Sequence, residues 1–81
     1  MMNELADERK WLEKVISVVL SASREDSDVS QQQLASKLGW SRNVVANLET
    51  GRRVMTLADF VLIARALRVE PERLLTRILR W

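Results

Sequence analysis

The chain has 81 residues, with 13 Lys or Arg against 11 Asp or Glu and 47% hydrophobic residues, so it is expected to form one small globular domain around a single core. Cys and His are absent and the only glycines are Gly39 and Gly51, which excludes disulfides, the usual zinc sites, thiol or imidazole catalysis, a Walker loop and a dinucleotide fingerprint; neither an enzyme nor a cofactor is expected. The longest apolar run, Phe60 to Ala64, is too short to span a membrane and no secretory signal opens the chain, so the expected location is the cytoplasm.

Leu12, Ile16, Val19 and Leu20 recur at spacings of three and four, marking an amphipathic first helix over about residues 5–25, before the polar stretch Glu25-Asp26-Ser27-Asp28. At Val29-Ser30-Gln31-Gln32-Gln33-Leu34, Ser30 is an N-cap, Gln33 completes a capping box and Val29 can staple onto Leu34, so a second helix starts at Gln31 and runs to 38. The same pattern returns at Trp40-Ser41 with Val45, at Met55-Thr56 with Phe60, and at Val69-Glu70 with Leu74, where Pro71 takes the first helical position. These starts predict helices over 42–49, 57–67 and 71–80. No strand-length alternation occurs, and the expected fold class is all-α with five helices.

Helices two and three are separated only by Gly39, Trp40 and Ser41, which is helix-turn-helix spacing. Gly39 suits the left-handed residue that ends a helix, and Gly51 the same place after helix three. Leu34, Ala35 and Leu38 face inward from helix two, and Val45 and Leu48 from helix three. Ala35 is small, as so close a crossing requires.

Charge is divided along the chain. Residues 1–28 carry seven acids and four bases, net −3, whereas residues 29–81 carry four acids and nine bases, net +5. Ten of the 13 basic residues are Arg, whose planar fork suits phosphate and guanine. With Val45 and Leu48 inward, helix three presents Arg42, Asn43, Val44 and Asn47, a set able to read base edges: Arg on guanine, Asn on adenine, Val against a thymine methyl. Gln31 and Ser41 at helix starts, and Thr50, Arg52 and Arg53 beyond helix three, are the expected phosphate contacts, with Lys37 a less specific basic residue. Glu49 is the one acid within residues 29–53, which points it inward toward a cation, and Arg24 at the end of helix one is the expected partner.

The run from Ser30 to Ser41, followed by Val45, Leu48, Glu49 and Gly51 and then by Phe60, Ile63-Ala64, Leu67, Val69 and Leu74-Leu75, resembles the Cro/cI-type helix-turn-helix, or XRE, family. The resemblance implies a five-helix DNA-binding regulator of the lambda-repressor-like type, usually dimeric. It puts Arg42, Asn43, Val44 and Asn47 at base-contacting positions, a DNA-contacting Gln at Gln31, and an Arg–Glu link between helices one and three at Arg24 and Glu49. Asp28 departs from the pattern, standing where Gly is frequent, and Asp tolerates the left-handed conformation. The chain divides accordingly into an extension over 1–15, the DNA-binding domain over 16–75 and a C-terminal extension over 76–81.

Trp40 is expected as a staple over Val45, with base stacking the alternative. Helix five carries Leu74, Leu75, Ile78 and Leu79 before Trp81, more apolar surface than one edge of a small core covers, so Leu75, Leu79 and Trp81 are the expected homodimer contact. The alternative is intramolecular, with Trp81 folded back on Trp11. The reading is therefore a regulator, by default a repressor with activation from a neighbouring site left open, that binds a palindromic site on double-stranded DNA as a homodimer. Spacing from Glu49 through Gly51 to Thr56-Leu57 also resembles controller proteins of restriction-modification systems. The rival reading is an antitoxin-like protein whose acidic N-terminal extension, with Leu5, Trp11 and Leu12, holds a partner protein.

Overall fold

A computed structural model describes residues 4–81 as five helices, α1 (Glu4–Asp26), α2 (Gln31–Leu38), α3 (Arg42–Glu49), α4 (Leu57–Ala66) and α5 (Pro71–Leu79), with no strand among the described residues. Helices α2 to α5 begin at the residue that each cap predicts. The ends of α4 and α5 fall one residue earlier than expected, with Leu67 and Arg80 as the C-caps, and α1 is one residue longer at each end.

Two starts are closed by reciprocal side-chain bonds. Gln33 N–H donates to Ser30 Oγ at 3.0 Å while Ser30 N–H donates to Gln33 Oε1 at 2.8 Å. The second box, at α4, pairs Thr56 with Asp59 at 3.0 and 3.1 Å. Asp59 escapes a sequence reading because Glu or Gln is the usual residue there. At α5 Glu70 makes no side-chain cap, and Pro71 alone sets the entry.

The turn between α2 and α3 follows from Gly39, whose φ of 70° lies in the left-handed region. From that conformation the Gly39 and Trp40 N–H groups reach back to the Ser36 and Ala35 carbonyls at 3.3 and 2.9 Å. Asp28 adopts φ 57° where the chain leaves α1, as its residue type allows, and Arg68 does the same after α4 at φ 59°. Nothing in the side chain of Arg68 announces that conformation.

Packing joins α1 to α3 and α5, α2 to α3 and α4, and α4 to α5. The core contains Val15, Val19 and Leu20 of α1, Leu34 and Ala35 of α2, Val45 and Leu48 of α3, Phe60, Ile63, Ala64 and Leu67 around α4, and Leu74 and Ile78 of α5. Ala35 is fully buried, so α2 and α3 cross closely there. Val29, Trp40, Met55 and Val69, the four staple residues, are half-buried against this cluster, as are Leu12, Ile16 and Leu38.

The buried face of α1 corrects the apolar stripe expected from the sequence. Val19 and Leu20 are buried as expected, Leu12 and Ile16 are only half-buried, and the face takes in Val15, Ser17 and Ser23 as well. Both serines are satisfied internally: Ser17 Oγ lies 3.1 Å from the carbonyls of Glu13 and Leu48, and Ser23 Oγ accepts from Arg77 Nη1 at 2.9 Å. Periodicity of apolar residues is blind to a buried hydroxyl that has a partner. At the other end of α1 every residue from Glu4 to Trp11 is exposed. The helix, about 35 Å long at 1.5 Å per residue, overhangs the bundle and gives the molecule its 44 × 24 × 19 Å extents.

Candidate nucleic-acid interface

Helix α3 is held from behind, at its C-terminal end, by α1. Arg24 Nε donates to Glu49 Oε2 at 2.6 Å and Nη2 donates to Oε1 at 3.1 Å, a two-pronged pair whose side chains are 12% and 7% exposed. The third arm of the guanidinium, Nη1, donates to the Val29 carbonyl at 2.8 Å and so ties in the loop before α2. Its hydrogen bond to Glu49 holds the Arg24 guanidinium above its ordinary pKa; burial opposes that shift and the Glu49 and Glu25 charges add to it. Beside the pair, the Ser17 hydroxyl is within reach of the Leu48 carbonyl. One helix thus fixes α3 through a charge and a neutral bond on consecutive residues.

With Val45 and Leu48 each 2% exposed, the outward stripe of α3 is Arg42, Asn43, Ala46 and Asn47. Arg42 and Asn43 are exposed and Asn47 is partly exposed; none of these side chains enters the hydrogen bonds that anchor the helix. Val44 lies on the flank of the stripe, half-buried against the core, so only its outer edge faces solvent. Ala46, one turn from Arg42, was not anticipated. Its signal was present in the sequence, since it shares the face of Asn43 and Asn47 at helical spacing, but a methyl group carries no chemistry to draw notice.

Around this stripe the expected phosphate contacts differ in what they have free. Ser41 Oγ accepts from Val44 N–H at 3.4 Å, which leaves its own O–H to donate outward. The Thr50 hydroxyl instead donates to the Ala46 carbonyl at 3.0 Å, so an anion there would have to displace an internal bond. Arg52 and Arg53 are exposed, on a backbone folded tightly behind α3: both N–H groups reach the Asn47 carbonyl, at 2.9 and 3.1 Å, across Gly51 with φ 78°. Lys37 is exposed in the last turn of α2. Gln31, half-exposed, donates from Nε2 to Glu49 Oε1 at 3.0 Å, a link that the sequence did not suggest.

A second surface gathers apolar residues. Leu75 is 48% exposed, Leu79 69% and Trp81 59%, while their helix neighbours Leu74 and Ile78 are buried. Leu75 lines an open groove with Ile16, Met55, Leu57, Phe60 and Ile78. Leu57, 77% exposed just after its cap, belongs to this surface and was not foreseen. Trp11 and Trp81 are each more than half exposed, so neither is buried by closing over the other. Trp40 packs on the core, as a staple does.

Residues 16–76 match the family described as Helix-turn-helix domain. Control protein C.SmaI of Serratia marcescens is 29% identical over 66 residues, covering 82% of this chain and 79% of that one. Among solved structures, an XRE-family like protein from Pseudomonas syringae superposes with a TM-score of 0.90 at 20% identity, over 96% of this chain and 95% of the other. A point mutant of the restriction-modification controller protein C.Esp1396I gives 0.82 at 23% identity, over 86% and 93%. No helix among the described residues is long and apolar enough to cross a membrane. A helix pair joined through Gly39, a polar stripe on the second helix and a sequence match over most of the chain agree: the protein belongs to the helix-turn-helix domain family of DNA-binding regulators.

Proposed function

We propose that the protein is a transcription repressor that binds a palindromic operator as a homodimer, with α3 of each subunit in successive major grooves. The observation that carries this reading is the uncommitted polar stripe of α3, Arg42, Asn43 and Asn47, on a helix whose opposite face is buried. Arg42 pairs with guanine, Asn43 and Asn47 with adenine, and Val44 brushes a thymine methyl with its outer edge; each good base contact contributes about 1–3 kcal/mol of discrimination. Gln31, Ser41, Arg52 and Arg53 hold phosphates on either side, and Thr50 is the weakest member of that set because its hydroxyl is engaged. A DNA ligand supports a site of action in the cytoplasm.

Dimerisation is supported by the apolar surface of Leu75, Leu79 and Trp81 beside the groove under Leu57. One reading helix spans only a few base pairs, too few to single out a site among genomic competitors, so specificity needs two half-sites about 10 base pairs apart. Repression is the default mechanism, because a dimer seated on an operator that overlaps a promoter blocks polymerase. The likeness to control protein C.SmaI supports a controller-type role.

Selection of bound fragments from random and genomic DNA, followed by footprinting, tests the reading. The expected product is a two-fold symmetric site protected on one DNA face. Sedimentation as a monomer at tens of micromolar with full operator affinity and an asymmetric footprint would refute the dimer. Leu5 and Trp11, 79% and 53% exposed on the overhang of α1, favour a second reading in which that segment holds a partner protein. A stable second polypeptide that co-purifies with the native protein supports it, and its absence from the native complex removes it.

A further inference from the structure

Glu49 is bonded on three sides. Its Oε2 accepts from Arg24 Nε at 2.6 Å, and its Oε1 accepts both from Arg24 Nη2 at 3.1 Å and from Gln31 Nε2 at 3.0 Å. Arg24 is itself immobilised by its bond to the Val29 carbonyl, so the carboxylate has a fixed place. At 7% exposure Glu49 lies beneath the surface, whereas Gln31, the first residue of α2, sits half-exposed at the rim.

A Gln side chain at the start of a helix ordinarily samples many rotamers, and it loses that freedom when it binds an anion. Here the amide is already held by a hydrogen bond in the unbound protein. Gln31 gives one amide hydrogen to Glu49 and keeps a second hydrogen on the same nitrogen. Arg24, in turn, neutralises the carboxylate, which would otherwise repel a phosphate at so short a range.

We propose that Glu49 is a positioning residue for DNA binding: locked by Arg24, it holds the Gln31 amide ready so that its remaining N–H is presented to a backbone phosphate. The inference rests on the reading of Gln31 as a phosphate contact and extends it, since the ion pair then belongs to the binding machinery as well as to the packing. Glu49 itself touches no DNA. Three helices meet at its carboxylate, so the order of α1 and α3 reaches the contact on α2.

The test is a double-mutant cycle on a mixed-sequence duplex of about 30 base pairs at about 50 mM salt, since a phosphate contact needs no operator. The four proteins are the unmodified chain, Gln31→Ala, Glu49→Gln and the pair, each checked for folding by circular dichroism at the assay temperature. Gln31→Ala is expected to weaken binding about fivefold in the unmodified background and less than about twofold beside Glu49→Gln. Equal losses in the two backgrounds overturn the positioning role and leave the Gln31 contact standing. No loss in the unmodified background removes the contact and the positioning with it. Gln31→Asn keeps the ion pair intact and leaves the proposal open to refutation even where Glu49→Gln fails to fold. Its shorter amide cannot span carboxylate and phosphate together, so it should bind as weakly as Gln31→Ala, and binding like the unmodified protein overturns the proposal.

Discussion

Helix α3 has eight residues and buries Val45 and Leu48, and α5 has nine and buries Leu74 and Ile78, so toward the core they are near equivalents. Their outer faces are opposite in kind. Arg42, Asn43 and Asn47 stand out from α3, whereas Leu75 and Leu79 stand out from α5. Water solvates the first set well, so α3 is stable unbound, as the proposed exchange of hydration for base edges requires. Exposed leucines instead leave about 25 cal/mol per Å² of apolar surface unrealised, a standing tendency to be covered by another protein surface. The anchoring differs in the same sense. Helix α1 holds α3 by a largely buried ion pair and a serine near a backbone carbonyl, which fixes direction, and it holds α5 by apolar packing with one bond from Arg77 to Ser23. A helix proposed to read bases needs a set orientation, and a proposed dimer face needs area.

The largest test of that contrast removes the directional anchor. Arg24→Ala leaves the Glu49 carboxylate buried without its cation and should lower the unfolding free energy by about 3–5 kcal/mol in urea titration. Ser23→Ala, which removes the bond from the α5 side, should cost only about 1 kcal/mol. Comparable losses would mean that the two helices are held alike. The raised pKa of Arg24 adds a sign. Its stabilising contribution is complete below the unfolded-state value and lost only as pH rises through the still higher folded one, so it is constant through the neutral range.

Next in size is the apolar face of α5. Leu79→Glu combined with Trp81→Glu should yield a folded monomer by sedimentation, because both side chains are exposed in the single chain, and should weaken operator binding about a hundredfold through loss of the second half-site. A variant that remains dimeric would move the contact elsewhere, first of all to the overhang of α1.

Smaller effects separate base reading from phosphate holding. Arg42→Ala should lose about 1–3 kcal/mol on the selected operator and little on random duplex, measured by fluorescence anisotropy; equal losses on both would reassign it to the backbone. Arg52→Ala or Arg53→Ala should weaken all duplexes alike and reduce the slope of log affinity against log salt by about one. A change in sequence preference at constant slope would place that residue on a base.

Much of this molecule was legible from its residues. Caps at Ser30, Ser41 and Thr56 and the proline at Pro71 located four helix starts to the residue, since each start is a local matter of satisfying free N–H groups within four positions. Gly39 likewise determined the turn, and Val45 with Leu48 determined which side of α3 is left for solvent. The isolated acid Glu49 pointed to Arg24 because a lone charge in a basic segment requires a partner. What tertiary structure decided lies where distant segments meet. That Ser17 and Ser23 are buried depends on a carbonyl 31 positions away and a guanidinium 54 positions away. That Leu57 joins Leu75 and Ile16 in one groove depends on how α4 lies against α5 and α1. The Gln31 amide meets Glu49 only after α2 and α3 have crossed over Ala35. Local rules act over one helical turn and are written in neighbouring residues, whereas hydrogen bonds and grooves shared between helices depend on three-dimensional proximity that no short window of sequence records.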